Sequence, residues 1–335
     1  MRAAGYDRYG SPDVLYLAQI DRPSPRAGEV LVRVEASTVN GGELMGRQGR
    51  LRLVTGRRFP QRTGIDLVGE VTELGSGVDD LRIGERVWGA VDERGGRGTA
   101  ADYVTVPRAK VAAAPATLSS VEAASLLAGG STALVALRDV VRLAPGEHLL
   151  VRGGAGGVGS VAVQIGRMLG AHVTALASLS SADFVQSLGA EEVIDYRTPL
   201  PALGRYDVVL DTRGSALHEL RRHVTGTGRM VTITADLDHL VRSAGTILTS
   251  TVHGSRRVRL FLGRPDSAVF AELTAAVARG DLRPVVDEVF PLEQIAAAHA
   301  RLEAGGVLGK VVVDHTSSAE PATPRGRNEA ARFDA

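Results

Sequence analysis

The feature that most constrains this chain is the run Leu149, Leu150, Val151, Arg152, Gly153, Gly154, Ala155, Gly156, Gly157, Val158, Gly159. A short apolar stretch enters a glycine-rich turn and leaves it as a helix-forming sequence, with Gly154, Gly156 and Gly159 at the spacing GxGxxG. In such a turn the first glycine permits a tight reversal, the second lets backbone approach a pyrophosphate, and the third lets the helix pack closely on the sheet. The helix N-terminus then directs unpaired N–H groups at an anion. A chain with 40 glycines produces the bare pattern by chance, as a flexible turn. The strand before it and the helix after it make Gly154, Gly156, Gly157 and Val158 candidates for holding a dinucleotide.

The end of the next strand indicates which dinucleotide. An acidic residue about 20 positions after the turn ordinarily binds the adenosine ribose 2′-hydroxyl. Here the stretch from Ala175 to Ser181 reads ALASLSS and has no carboxylate. A neutral, hydroxyl-bearing strand end does not repel a 2′-phosphate, and Ser178 and Ser181 offer donors to it. NADP(H) is therefore expected over NAD(H).

Around this turn the chain divides by pattern. Residues 1–118 hold short β-branched runs such as Glu29–Glu35 and Leu67–Val71 between Gly and Pro turns, the mark of a mostly β domain. From 119 to 251 helices alternate with buried strands: a helix Val121–Val141, strand His148–Val151, helix Val158–Leu169, then strands His172–Ala177, Glu192–Tyr196, Tyr206–Asp211 and Arg229–Thr234. A helix near Ala216–His223 precedes the last of these. That alternation specifies an α/β domain with a doubly wound parallel sheet, which six strands would complete. Residues 252–315, with helices Ser267–Arg279 and Leu292–Ala304 and strands Val285–Val289 and Lys310–Val313, are expected to return to the first domain. The tail 316–335, rich in Ser, Pro, Ala and charge, is expected to be disordered.

Composition excludes several classes. Basic and acidic residues number 39 and 38, too balanced to attract nucleic acid or an anionic membrane. All the basic residues except Lys110 and Lys310 are arginine. There is no cysteine, which removes disulfides, thiolate nucleophiles and cysteine-based zinc sites. No apolar run is expected to reach the roughly 20 residues of a bilayer crossing, and the N-terminus has no targeting character, so a cytoplasmic protein is expected. HExxH, GxSxG and GxxxxGK[ST] do not occur, so Ser131 is better explained by cofactor contact than as a nucleophile.

Several further motifs in order resemble the medium-chain dehydrogenase/reductase superfamily, in its quinone oxidoreductase and enoyl reductase branch, over about residues 1–314. Asn40–Gly49 resembles NxxDxxxRxG with Glu43 in place of Asp. Pro60–Val71 resembles PxxxGxDxxGxV at Gly64, Asp66, Gly69 and Val71. Gly98–Pro107, Gly130–Ala133, Leu188–Tyr196, Asp211–Gly214 and Leu308–Val312 are similar to later landmarks. The resemblance implies a GroES-like catalytic domain, a Rossmann cofactor domain with a cleft between them, and a homodimer or homotetramer.

The catalytic zinc ligands Cys and His of the superfamily's alcohol dehydrogenases fall on Asn40 and Ile65, and a short Gly/Arg loop at Val87–Gly98 replaces the structural zinc lobe. The resemblance thus implies no metal, and NADPH-dependent reduction of a quinone or an α,β-unsaturated carbonyl, whose conjugation spreads negative charge onto an oxygen. It places Asn40 beside nicotinamide and substrate, Thr132 near the ribose or phosphate, Val158 against the pyrophosphate and Tyr196 at the 2′-phosphate. Thr234 completes the candidate cofactor contacts.

Two phenols of the branch fall on Met45 and Leu51, leaving the proton to water, a cofactor hydroxyl or an unassigned side chain. Arg47, with Arg50 and Arg52, either lines the cleft and stabilises an enolate or belongs to a solvated basic loop. Glu43 and Asp66 are expected to pair with an arginine and brace the loop. His253, Arg256, Arg257 and Arg259 form a second basic group, and His218 and His223 read as surface residues. Two alternatives stay open: a tailoring reductase for a biosynthetic enone or ketone, and an NADPH-binding protein without turnover.

Overall fold

The computed structural model describes residues 1–52, 58–91, 97–234, 245, 250, 257–261, 263 and 265–317. The first eight strands are β1 (Arg2–Tyr6), β2 (Tyr16–Gln19), β3 (Glu29–Thr38), β4 (Gln61–Arg62), β5 (Asp66–Leu74), β6 (Arg86–Ala90), β7 (Tyr103–Pro107) and β8 (Val111–Ala113). β-Branched side chains fit a pleated surface buried on one face, and β3, β5 and β6 carry them inward. Val30, Val32, Val34, Leu67, Val71, Val87, Val104 and Val111 form the resulting core. β3 is long enough to pair β7 through Glu29–Arg33 and the closing strand through Ala36–Thr38. Val87–Ala90, expected in a loop, belong to β6 because Val87 and Trp88 are fully buried there; residues 92–96 of that region lie outside the described residues.

The cofactor-type domain contains β9 (His148–Arg152), β10 (His172–Ala177), β11 (Glu192–Asp195), β12 (Tyr206–Asp211), β13 (Val224–Thr232) and β14 (Val258–Leu260). Their spatial order is β11-β10-β9-β12-β13-β14, all parallel. The order reverses between β9 and β12, so ligands have a crevice at the carboxyl ends of those two strands. The sixth strand corrects the expected boundary at 251. β14 adds to β13 after that point, and its three residues, with Arg259 exposed, are too few to announce a strand by alternation.

The helix Ser120–Leu134 continues as a wider π-turn over Val135–Val140. It begins with a reciprocal cap in which Ser119 accepts from the Glu122 N–H and Glu122 accepts from the Ser119 N–H. At 21 residues this apolar segment has the length of a bilayer crossing, contrary to expectation. Its side chains instead form core: Leu126, Leu127 and Leu134 join Ala36, Val68 and Trp88 from one side and Leu149, Val151 and Val161 from the other. One core thus runs through both domains.

The chain returns with β15 (Val286–Pro291) and β16 (Lys310–Asp314), and β16 lies antiparallel to β3. Just before β16, the Gly309 N–H donates to the Ala155 carbonyl at 2.8 Å, and Gly309 bridges Gly156. The last strand of the catalytic domain therefore starts against the glycine turn of the other. Thr316 and Ser317, expected in a disordered tail, turn back onto Asp314, and residues 318–335 lie outside the described residues.

Candidate active site

The three motif glycines have different physical reasons. A Cβ on Gly159 would stand 2.0 Å from the Gly153 carbonyl oxygen, and one on Gly154 would stand 2.8 Å from the Ala175 Cβ. These two positions are closed by the fold itself. A Cβ on Gly156 would meet nothing nearer than the Gly153 oxygen at 3.6 Å, so the fold leaves that face of the turn open. Open backbone ahead of the helix Gly159–Met168 is what a pyrophosphate requires, and the residues present fit a dinucleotide there.

A Cβ on Gly157 would meet the Lys310 Cδ at 2.6 Å, so the stem of Lys310 lies across the turn. Gly129 approaches from behind, where a Cβ would stand 2.1 Å from the Gly157 oxygen. Thr132 lies one helical turn beyond Gly129 and shares its face, which brings it toward the same place.

Lys310 is buried, and its ammonium donates to the Asn40 Oδ1 at 2.5 Å and the Val39 carbonyl at 3.2 Å. The other edge of the Asn40 amide donates to Glu43 Oε1 at 2.9 Å and to Asp66 Oδ2 at 3.4 Å. Glu43 also accepts from the Thr63 hydroxyl and the Gly64 N–H, while Asp66 accepts from the Thr38 N–H and hydroxyl. The expected carboxylate pair therefore exists, but the cation facing it is Lys310 and not an arginine. Burial, reinforced by Asp66, pushes the Glu43 carboxyl up to about 7. Burial likewise lowers the Lys310 ammonium below its usual range, against the pull of Asp66 and Glu43.

At the strand ends nearest the turn, Asp211 is fully buried. It accepts from Arg152 at 3.1 Å, the Gly214 N–H at 2.8 Å and the Thr232 hydroxyl at 3.0 Å. Thr234 lies beside it, its carbonyl accepting from Thr232. On the far side of the turn the Tyr196 N–H donates to the carbonyl of Ala177, the residue before Ser178, and the Tyr196 side chain is exposed. Ser178 remains partly open. Ser181 does not: it is buried, and its hydroxyl donates to the Ser178 carbonyl at 2.8 Å, so the local turn has consumed the expected donor.

Arg47 is also corrected. Its side chain is fully buried, donating to the Gly10 carbonyl and paired with Glu303, so it ties the helix Gly41–Arg47 to the helix Ile295–Glu303 instead of lining a substrate site. Arg50 and Arg52 are exposed. Of the second basic group, His253 and Arg256 lie outside the described residues. Sequence reasoning passed over Lys310 and Arg152. Lys310 had a signal, being one of two lysines in a chain whose other basic residues are all arginine.

A mostly β domain whose closing strand starts on the glycine turn of a six-stranded parallel sheet defines the class: an oxidoreductase of the medium-chain dehydrogenase/reductase superfamily. Residues 26–116 match the model of the alcohol dehydrogenase GroES-like domain, and 188–313 that of the zinc-binding dehydrogenases. The chain is 31% identical to a chloroplast envelope quinone oxidoreductase homolog of Arabidopsis thaliana, across 94% of this chain and 98% of that one. It is 32% identical to the chloroplastic NADPH-dependent alkenal/one oxidoreductase of the same plant, across 93% and 79%. The solved quinone oxidoreductase of Coxiella burnetii superposes with a TM-score of 0.83 at 28% identity, across 94% and 99%. This chain belongs to the quinone oxidoreductase and enoyl reductase branch.

Zinc, which one family description names, does not fit the residues here. The chain has no cysteine, and among the described residues no three His, Asp or Glu side chains converge as ligands. Glu43 and Asp66 are committed to Asn40, Thr38 and Thr63.

Proposed function

We propose that this oxidoreductase reduces a quinone or an α,β-unsaturated carbonyl with NADPH, without a metal. The observation that carries the reading is the junction at Lys310. Its stem crosses the phosphate-binding turn, and its ammonium holds Asn40, so the cofactor cradle and a partly exposed amide are neighbours. NADPH, when bound, supplies a hydride. Gly156 leaves room for its pyrophosphate beside Val158, and Thr132 and Thr234 are assigned to the nicotinamide half.

A conjugated acceptor takes hydride without a strong Lewis acid, because the negative charge it gains lies on an oxygen that a few donors stabilise. The donor nearest the Asn40 amide is the Lys310 ammonium behind it, since the amide's own N–H groups go to Glu43 and Asp66. The exposed phenol of Tyr196 and the partly exposed Ser178, whose hydroxyl also bonds Ser180, with no carboxylate at the end of β10, support NADPH over NADH. The relatives described as a quinone oxidoreductase homolog and an NADPH-dependent alkenal/one oxidoreductase support the acceptor class.

The test follows absorbance at 340 nm with NADPH or NADH against quinones, enones and simple aldehydes, with and without EDTA. Quinone or enone turnover preferring NADPH and indifferent to EDTA is expected. Binding of NADPH without oxidation by any acceptor would replace this reading with that of a non-catalytic nucleotide-binding protein.

A further inference from the structure

Lys310 touches both halves of the site. Its stem occupies the space a side chain at residue 157 would need. Its ammonium spends two of three donors on the Asn40 Oδ1 and the Val39 carbonyl. The Asn40 amide is thereby fixed: the ammonium selects its oxygen edge, and Glu43 and Asp66 select its nitrogen edge. Without the lysine the amide oxygen would lose its charged donor and its tether to the turn, leaving Glu43 and Asp66 as the amide's remaining constraints.

We propose that Lys310 is a positioning residue for the reduction, fixing the Asn40 amide and tethering it to the phosphate-binding turn so that one side chain aligns the acceptor with the bound nucleotide. The inference rests on the reductase reading. It acts through Asn40, since Lys310 itself is buried while Asn40 is partly open.

The charged surroundings are compatible with this role. Glu43 and Asp66 face Lys310 across Asn40, and behind Glu43 stand Thr63, His299 and the buried Arg47. On the adjacent β15, Asp287 and Glu288 are paired with Arg301. The helix Ser120–Leu134 presents only Ser131 and Thr132 as its polar groups near the turn. Lys310 also draws the Glu43 carboxyl downward, so its removal raises that ionisation further above the usual carboxylate range.

The experiment is a double-mutant cycle on Asn40→Ala and Lys310→Met. It reads kcat, KM, the NADPH dissociation constant and the fluorescence emission of bound NADPH, which reports the nicotinamide's surroundings whether or not an acceptor turns over. A misplaced reacting group costs on the order of 100-fold in rate. K310M is expected to lose about that in kcat while its NADPH dissociation constant stays within about 3-fold. The double variant is expected to be no worse than N40A alone, in both rate and emission, because the two residues act as one unit. The ionisation near neutral pH in the kcat profile should move upward in K310M.

If K310M fails to fold, Lys310→Gln keeps a donor for the Asn40 oxygen, and its kcat should lie closer to the wild type than that of N40A. Additive losses, unchanged emission in K310M, or a rate loss explained by lost nucleotide binding would each overturn the proposal. Failure of the wild type with every acceptor would count against the reductase reading, and the emission cycle would still decide the role of Lys310.

Discussion

Gly156 and Gly159 belong to one motif, yet alanine should act on them in opposite ways. At Gly159 the new methyl would sit 2.0 Å from the Gly153 oxygen and 2.7 Å from its carbonyl carbon, both rigid backbone. Overpacking of that kind costs about 1–3 kcal/mol, and more where backbone must move. At Gly156 the nearest atom is 3.6 Å away, an ordinary contact, and Gly156 does not have a positive φ. Alanine there should leave the free protein unchanged or stabilise it by about 0.4–1 kcal/mol through the unfolded chain.

The loss at Gly156 appears only with nucleotide. Ligand at 100 times its dissociation constant stabilises a protein by about 2.7 kcal/mol. If the methyl weakens NADPH binding by about 100-fold, the same concentration adds only about 0.4 kcal/mol. Urea denaturation of wild type, G156A and G159A, each with and without NADPH, separates the effects. Full nucleotide stabilisation of G156A, or wild-type stability of G159A, would refute the assignment of Gly156 to the ligand and Gly159 to the fold.

Other consequences concern pH, the buried arginine and nucleotide choice. Burial holds His299 down to about 3 and His315 down to about 4 from an ordinary 6.5, so both are neutral in the fold and charge on unfolding. Their contribution is complete above pH 6.5 and falls as pH drops, by about 1.4 kcal/mol per unit for each. Glu43, raised from 4.5 to about 7, acts oppositely and loses its contribution as pH rises through that range. Between pH 4.5 and 6.5 these three groups together leave a slope of about 1.4 kcal/mol per unit, and His299→Gln should remove it; equal slopes in urea melts of the two proteins would contradict this. Arg47→Met should cost about 1–3 kcal/mol by leaving the Gly10 carbonyl without its donor and the partly exposed Glu303 without its cation, with kcat per folded molecule unchanged; a large kcat loss in a stable R47M protein would return Arg47 to the chemistry. Tyr196→Phe should lower the NADPH to NADH preference in kcat/KM by roughly 10-fold, the worth of one hydrogen bond to a charged group, and an unchanged ratio would remove Tyr196 from the 2′-phosphate site.

Much of this architecture was legible because periodicity reports burial. The runs around Val30–Val34 and Leu149–Val151 and the glycine spacing at 154–159 each declare one environment, and the structure places strands and turn there. β14 was not legible, since a three-residue edge strand with an exposed arginine has too few positions to show a period. The fate of Arg47 was hidden because its partner Glu303 is distant in sequence, so spacing near Asn40 says nothing about it. Ser181 looked like a donor from composition, but a turn over three residues used its hydroxyl first. Lys310 was visible as a closing-strand landmark and as a rare lysine, while its contact with Asn40 is a property of the fold alone.

The most direct measurement of the central claim uses NADPH carrying deuterium at C4 with an enone acceptor, followed by mass analysis of the product. The account predicts that deuterium appears on carbon in the reduced enone, in wild type and, more slowly, in K310M. Bound NADPH that puts no deuterium on carbon in any enone and is not oxidised by any quinone would contradict it.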